Sequence, residues 1–283
     1  MKKIIPLFLI LLMTGCFKQD SLDGIDIYTT VYPIEYIVNT LYGEHSNIYS
    51  IYPDEIDIEN YELTKKQIKD FSSADMYIFN GLSNEKNYVT QMFKHNKNLM
   101  IIDASSSMEY SNSNNELWLD TSNFLMMALN IKTGLTEYIE NHYLKNEIEE
   151  NYNKLKIEIS NIDARLKLLS ENATNPTILV DNNTFKYLEK YGFKVISLEE
   201  GATLTDKIIA DAKDAIEKEN INYIFTLNKN KLNNTSKEFI EKHNLGILEF
   251  KTITNLTDDE RETNEDYVSL INENIETLKN ELY

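Results

Sequence analysis

The chain has 283 residues, and its 28 Lys and Arg stand against 46 Asp and Glu, which gives a formal net charge of −18. A surface this acidic repels nucleic acid and anionic membrane surfaces and favours cationic ligands. Because Cys16 is the only cysteine, we expect no internal disulfide, no thiolate metal site and no cysteine nucleophile. A hydrophobic content of 42% is enough to fill packed cores, which excludes a globally disordered chain.

The N-terminus has the pattern of a bacterial lipoprotein signal. Two lysines lie near the start, an apolar run occupies residues 4–13, and two small residues precede Cys16. The run holds about ten residues, too few for a bilayer that needs roughly 20 residues of helix. We predict a signal peptide at 1–15, a lipid-modified Cys16 and a tether at 16–24 that holds an extracytoplasmic domain at the cell membrane. The alternative is a buried strand that contains a cysteine by chance.

Residues 25–143 alternate short apolar runs with amphipathic stretches. A helix is expected to start at Pro33 and to end at Gly43, and another to start after Thr64 as N-cap. Strands that alternate with helices are typical of a parallel α/β sheet. We therefore predict a first α/β lobe over this range. Its strands are expected at 25–30, 47–52, 76–80 and 99–103.

A long helix is predicted at residues 145–170. Apolar residues recur there at three- and four-residue steps, and the segment contains neither Gly nor Pro. Its 26 or so residues would extend roughly 39 Å. Pairing in a coiled coil is the alternative, but the chain has no second heptad segment to serve as partner. A helix that lies across two domains is better supported, and we assign residues 144–172 as the link.

Residues 173–283 repeat the alternation of the first lobe. Strands are expected at 177–180, 194–198, 223–227 and 247–250, and helices at 184–191, 205–218, 236–243 and 266–282. The predicted fold class is α/β. It consists of two similar lobes, each with a mostly parallel sheet flanked by helices, joined by one long helix.

The usual signatures of catalysis are absent from the sequence. We find no phosphate-binding glycine loop, no HExxH motif and no nucleophile elbow. The four histidines, His45, His95, His142 and His243, lie far apart in sequence and are not expected to bind a metal ion, and exposed or capping roles are expected for His142 and His243. A hydrolase with paired carboxylates would need two acids at a defined separation, which nothing here indicates. We therefore expect no enzymatic activity.

Five segments follow one another in an order that is typical of a known family. They are Tyr-Thr-Thr-Val-Tyr-Pro-Ile at 28–34, the loop at 52–64, Glu-Leu-Trp-Leu-Asp at 116–120, the region 185–193 and the start of the last helix at 265–274. With the two-lobed layout and the lipoprotein signal, they resemble the substrate-binding lipoproteins of zinc and manganese ABC transporters. The resemblance covers nearly the whole chain after Cys16.

The resemblance implies a binding protein for transport. Its ligand would be one divalent metal ion, manganese, zinc or another, held in the cleft between the lobes. Its partners would be that divalent cation and an ABC permease in the membrane, to which the lipid on Cys16 holds it close. The resemblance also implies a monomer that binds no nucleic acid.

The chain departs from the family where the metal ligands are expected. Positions that usually hold histidine fall on Glu59, on Glu116 and on Asp181, or on Asn182 if the alignment shifts by one residue. A fourth position, usually a carboxylate, falls near Lys251. The resemblance thus places candidate metal ligands at Glu59, Glu116 and Asp181, but with carboxylates in place of imidazoles.

Three hypotheses follow, because buried like charges are unfavourable unless a cation or protons neutralise them. The three acids bind a hard divalent cation, which prefers oxygen ligands. Alternatively, the ammonium of Lys251 occupies the cleft as a built-in cation and closes the site to metal. In the third hypothesis the side chains point to solvent, and the chain serves as a surface interaction, adhesion or scaffold lipoprotein.

Overall fold

The computed structural model describes residues 22–109 and 116–283, and the predicted signal segment with Cys16 lies outside them. The described residues form two sheets of four strands, and every strand pairing is parallel. The strand orders β2-β1-β3-β4 and β6-β5-β7-β8 are equivalent, so the second sheet repeats the first. The strands are β1 (Ile25–Thr29), β2 (Ser46–Ser50), β3 (Met76–Phe79), β4 (Met100–Asp103), β5 (Thr177–Val180), β6 (Lys194–Ser197), β7 (Tyr223–Thr226) and β8 (Gly246–Glu249).

Helices connect the strands, as parallel pairing requires. In the described part of the chain, no helix combines the length and apolar character needed to cross a membrane. The α-helices are α1 (Tyr32–Tyr42), α2 (Lys65–Phe71), α3 (Lys86–His95), α4 (Thr121–Tyr138), α5 (His142–Asn172), α6 (Asp206–Glu219), α7 (Asn234–His243), α8 (Asp258–Glu262) and α9 (Tyr267–Leu282). We call β1–β4 with the elements up to α4 the first lobe, and β5–β8 with the elements after α5 the second lobe.

The predicted fold class is confirmed: two parallel sheets flanked by helices stand on either side of one long helix. The prediction for 184–191 is corrected, because Asn183–Tyr191 is a 3-10 helix. Gly192 ends it with a φ of +100°, a left-handed conformation that glycine adopts without strain. Helices α3 and α8 were not predicted. The end of the predicted tether also contacts the first lobe, because Tyr42 donates its hydroxyl proton to the Leu22 carbonyl at 2.6 Å.

Helix α5 is longer than the sequence indicates, with 31 residues that extend about 46 Å. It starts at His142 because the side chain of Asn141 caps it, accepting a hydrogen bond from the Tyr143 amide at 2.8 Å. The helix packs against α1 and α4 of the first lobe and against α9 of the second. Its contact face is apolar and is formed by Leu144, Ile148, Leu155, Ile159, Ile162, Leu166 and Leu169.

A second connection joins the lobes on the side of the cleft. Residues 252–262, which we call the interlobe strap, follow β8 and run along the first lobe. Backbone carbonyls of the strap accept hydrogen bonds from the first lobe, which fixes the path of the strap beside the cleft. Its hydrogen bonds to the first lobe include Tyr32 N to Thr254 O at 2.9 Å, Glu55 N to Leu256 O at 3.1 Å, Trp118 Nε1 to Thr252 O at 2.7 Å, and Asn255 Nδ2 to Ile56 O at 2.9 Å.

Arg261 holds the end of the strap against the first lobe through ion pairs with two acids. Its Nη1 and Nη2 lie 2.9 and 3.2 Å from the two carboxylate oxygens of Glu35, and Nη2 lies 3.0 Å from Asp54 Oδ1. Hydrogen bonds to Asp54 and Glu35 raise the pKa of Arg261 above its ordinary value. The Glu35 side chain is only 12% exposed, so Arg261 neutralises a charge that water barely reaches.

We expect the substitution Arg261→Gln to lower the free energy of unfolding by about 2–3 kcal/mol, because the poorly exposed side chain of Glu35 would lose its ion-pair partner. Arg165→Gln is the matched control, because Arg165 pairs with Glu276 and both side chains are about half exposed. This substitution should lower the free energy of unfolding by less than about 1 kcal/mol. Urea unfolding measures both. Equal losses for the two variants would contradict the role assigned to Arg261.

Candidate metal-binding cleft

A cleft of about 1390 Å³ lies between the lobes. The first lobe contributes the loop after β2, the 3-10 helix Ile58–Asn60 and the β3–α3 connection. The second lobe contributes the segment after β5, the segment after β7 and the interlobe strap. The cleft therefore opens at the carboxyl ends of strands in both sheets, where ligand sites of parallel α/β proteins commonly form.

Two of the three predicted metal ligands line this cleft. Glu116 faces it from the first lobe and Asp181 from the second, and Asn182 lines it as well. Glu59 lies in the 3-10 helix Ile58–Asn60, and its side chain is outside what the structure describes. Asp57, two residues earlier, lines the cleft. The structure thus brings two predicted acids from different lobes to one cavity.

Asp181 is fixed where β5 ends. Its amide donates to the Phe225 carbonyl at 3.0 Å, and its side chain is buried. Oδ2 accepts a 2.7 Å hydrogen bond from the Thr226 hydroxyl, and Oδ1 accepts one of 2.7 Å from Asn182 Nδ2. Burial raises the pKa of Asp181 to about 6, although the bond from Thr226 opposes the shift. Each oxygen has a further lone pair, so the carboxylate is held in place and still able to accept.

Glu116 lies two residues before a buried tryptophan, Trp118. It stands directly before the 3-10 helix Leu117–Leu119, whose central residue is Trp118. The indole N–H of Trp118 donates to the carbonyl of Thr252 in the strap at 2.7 Å. The backbone carbonyl of Trp118 accepts a hydrogen bond from the Tyr267 hydroxyl at 2.5 Å. Because Trp118 is tied to the second lobe by both bonds, the backbone that carries Glu116 is set relative to that lobe.

Lys251 forms ion pairs with two acids outside the cleft. Its Nζ lies 2.6 Å from Glu260 Oε1 and 2.9 Å from Glu273 Oε2, and Lys251 is not among the residues that line the cavity. Burial lowers the pKa of this ammonium, but the hydrogen bonds to Glu260 and Glu273 outweigh burial and raise it. The hypothesis that Lys251 serves as a cation inside the cleft is therefore unsupported by the structure.

The cleft carries an excess of acidic side chains. Lys231 of the second lobe reaches Asp57 of the first at 3.2 Å. In the part of the chain that the structure describes, no group of three or more His, Cys, Asp or Glu is close enough to hold a metal ion. An acidic cleft raises the local concentration of cations. The lining acids are Glu55, Asp57, Glu62, Glu85, Glu116, Asp181 and Glu199, against the lysines Lys65, Lys86 and Lys231.

Glu85 is a cleft residue that the sequence reasoning missed. It precedes α3, it is 3% exposed, and its Oε2 accepts a hydrogen bond from the Asn80 amide at 3.0 Å. Burial raises its pKa to about 7. An acid before a helix is usually a solvated N-terminal residue, so nothing in the local sequence indicates that Glu85 is buried in the wall of the cleft. The available signal was its position, a few residues after β3 at the carboxyl edge of the predicted sheet.

We predict that Glu85 makes the protein less stable as the pH rises. Its pKa is about 7 in the folded protein, against an ordinary value of 4.5 for a solvated glutamate, so the folded state binds its proton more tightly. The free energy of unfolding should fall between about pH 4.5 and pH 7, by up to about 3 kcal/mol from this group. Glu85→Gln should remove this part of the decline in urea unfolding series.

Glu62→Gln is the control for this pH series, because Glu62 is an exposed acid in the same cleft. It should keep the slope of the unaltered protein. If Glu85→Gln and the unaltered protein lose stability in parallel over this range, Glu85 is not the group responsible.

Two lobes, an acidic cleft and a long connecting helix define the class of two-lobed solute-binding proteins. The family model for the zinc-uptake complex component A, periplasmic, matches residues 27–281. The chain therefore belongs to this family of metal ABC-transporter components.

Individual relatives are similar at low identity. The manganese-binding lipoprotein MntA of Halalkalibacterium halodurans is 23% identical over 228 residues, which are 71% of this chain and 72% of MntA. Zn(II)-bound AdcA from Streptococcus pneumoniae has a TM-score of 0.71 at 17% identity over 92% of this chain, which spans only 58% of AdcA. The laminin-binding protein Lbp of Streptococcus pyogenes has a TM-score of 0.71 at 16% identity, over 92% of this chain and 100% of Lbp. These two solved structures share the fold.

Proposed function

We propose that this protein is the extracytoplasmic binding component of a metal ABC importer, and that Glu59, Glu116 and Asp181 capture one divalent cation in the cleft. The observation that carries the proposal is that Glu116 and Asp181, from opposite lobes, both line one acidic cavity. Lys251, the competing internal cation, is paired with Glu260 and Glu273 instead. An entering cation would offset the charges that the cleft concentrates.

The donor set favours a hard cation over zinc. Carboxylate, carbonyl and water oxygens suit Mn²⁺, Ca²⁺ and Mg²⁺, whereas imidazole and thiolate suit zinc. MntA, a relative over 71% of the chain, is a manganese-binding lipoprotein. We therefore take Mn²⁺ as the first candidate. The protein would work as a monomer beside a membrane permease, without catalysis of its own.

The arrangement along the chain completes this proposal. Residues 1–15 would be removed as a signal peptide, and a lipid on Cys16 would anchor the protein through residues 16–24. Lobes at 25–143 and 173–283 would bind the cation between them, with residues 144–172 as the link. Since the interlobe strap and α5 both cross between the lobes, capture would require only a small change in their separation.

A second candidate is a lipoprotein that keeps the fold but has lost the metal. One observation favours it: among the described side chains, no three acids converge on a common point. The fold is shared by Lbp, a laminin-binding protein. In this alternative the acidic cleft would be vestigial, and the surface would bind another macromolecule in an adhesive or scaffolding role.

Calorimetric titration with Mn²⁺ distinguishes these candidates. We expect the protein to bind one Mn²⁺ and to be stabilised against heat by mass action. Glu116→Gln and Asp181→Asn should each weaken binding at least about 100-fold, since even changes behind the ligands cost about 10- to 100-fold. Glu62→Gln should bind as the unaltered protein does, because Glu62 is not among the proposed ligands.

Two results would contradict the metal-binding proposal. One is the absence of heat and of thermal stabilisation with Mn²⁺, Zn²⁺ and Ca²⁺ at millimolar concentration, which would favour the second candidate. The other is equal weakening by Glu62→Gln, Glu116→Gln and Asp181→Asn, which would show that the cleft attracts cations without a defined site.

A further inference from the structure

A second polar site lies in the wall that the first lobe contributes to the cleft. We call it the Glu85 corner and define it by Glu85, Tyr52, Tyr77 and Tyr88. Tyr52, Glu85 and Tyr88 line the cavity, while Tyr77 lies behind them on β3 at 1% exposure. None of the four belongs to the set of proposed metal ligands.

The carboxyl group of Glu85 is buried, and the groups that donate hydrogen bonds to it are neutral. Its Oε2 accepts a hydrogen bond from the Asn80 amide at 3.0 Å. The hydroxyl of Ser83 also favours its charged form, the nearby charge of Asp103 opposes it, and no Lys, Arg or His in the described residues forms an ion pair with Glu85. A carboxylate in such surroundings is satisfied when a positive charge enters beside it.

The hydroxyl of Tyr77 supplies the second, independent observation. It is buried and has no hydrogen-bond partner among the described residues. After burial, its electrostatic neighbours are Glu85, Tyr52 and Tyr88, the same residues that line this end of the cleft. Buried polar groups are nearly always paired, so an unpaired hydroxyl near a carboxylate without a counterion indicates a missing hydrogen-bond partner.

We propose that the Glu85 corner binds the primary ammonium group of a small organic cation that enters through the cleft. A primary ammonium has three N–H donors. One would bond to the carboxylate of Glu85 and one to the hydroxyl oxygen of Tyr77. The rings of Tyr52 and Tyr88 would border the positive charge, as aromatic rings do in cation–π sites.

Other cations fit the corner less well. A divalent metal ion would find one carboxylate, whereas hard divalent ions take six or more oxygen ligands. A quaternary ammonium has no N–H group, so it would leave the hydroxyl of Tyr77 without a partner. The chemistry of the corner therefore selects a cation that donates hydrogen bonds.

The test uses methylammonium as the probe, at about pH 8 so that Glu85 is charged. We expect calorimetry to show binding with a Kd on the order of 1 mM or tighter, and tetramethylammonium to bind at least about tenfold more weakly. Glu85→Gln should weaken methylammonium binding at least about tenfold. Glu62→Gln, which alters the exposed acid in the same cleft, should leave it unchanged.

Tyr77→Phe separates ligand binding from packing and serves if Glu85→Gln fails to fold. Because it removes the unpaired hydroxyl, it should weaken methylammonium binding while the free protein keeps or gains thermal stability. No methylammonium binding, or equal binding by the unaltered protein, Glu85→Gln and Tyr77→Phe, would overturn the proposal and leave an ordered water as the partner of Tyr77.

The ammonium-site proposal and the metal-site proposal can be overturned independently of each other. Glu85→Gln should bind Mn²⁺ as the unaltered protein does, and Asp181→Asn should bind methylammonium as the unaltered protein does. If Mn²⁺ does not bind but methylammonium does, only the metal proposal is overturned. The reverse result overturns only the ammonium site.

Discussion

The ion pairs of Arg261 with Glu35 and Asp54 fix the position of the interlobe strap against the first lobe, and the shape of the cleft depends on that position. Arg261 ties the end of the interlobe strap to the first lobe through a bidentate ion pair with a poorly exposed carboxylate. Upstream of it, strap hydrogen bonds reach Tyr32, Trp118 and the loop after β2. Together with α5, this contact sets how far apart the walls of the cleft stand, and thus which ligands can bridge them.

The cleft so formed carries more acidic than basic side chains. Asp181 and Glu85 are buried carboxyl groups on opposite walls, and burial raises the pKa of both. The most obvious internal cation, Lys251, is held by two acids outside the cavity. The cleft is therefore not a neutral pocket. In the function that we propose, its carboxylates would offer oxygen ligands, which suit harder cations than zinc.

Much of the fold follows from local sequence patterns. The strands are short apolar runs, and their alternation with helices indicates parallel sheets. The start of α5 is less evident, because it depends on the side chain of Asn141 bonding to the backbone. The site is harder to predict still. The position of Lys251 is decided by Glu260 in α8, a short helix without an apolar pattern, and by Glu273. Glu85 looks like a solvated helix start until the neighbouring tyrosines cover it.

The most direct test of the metal-binding account is a crystal of the protein grown with Mn²⁺, with anomalous scattering used to locate the ion. The account predicts one strong peak in the cleft, with carboxylate oxygens of Glu116 and Asp181 at about 2–2.6 Å and Glu59 completing the set. A cleft without a peak at saturating Mn²⁺, or a peak bound by other residues, would contradict it.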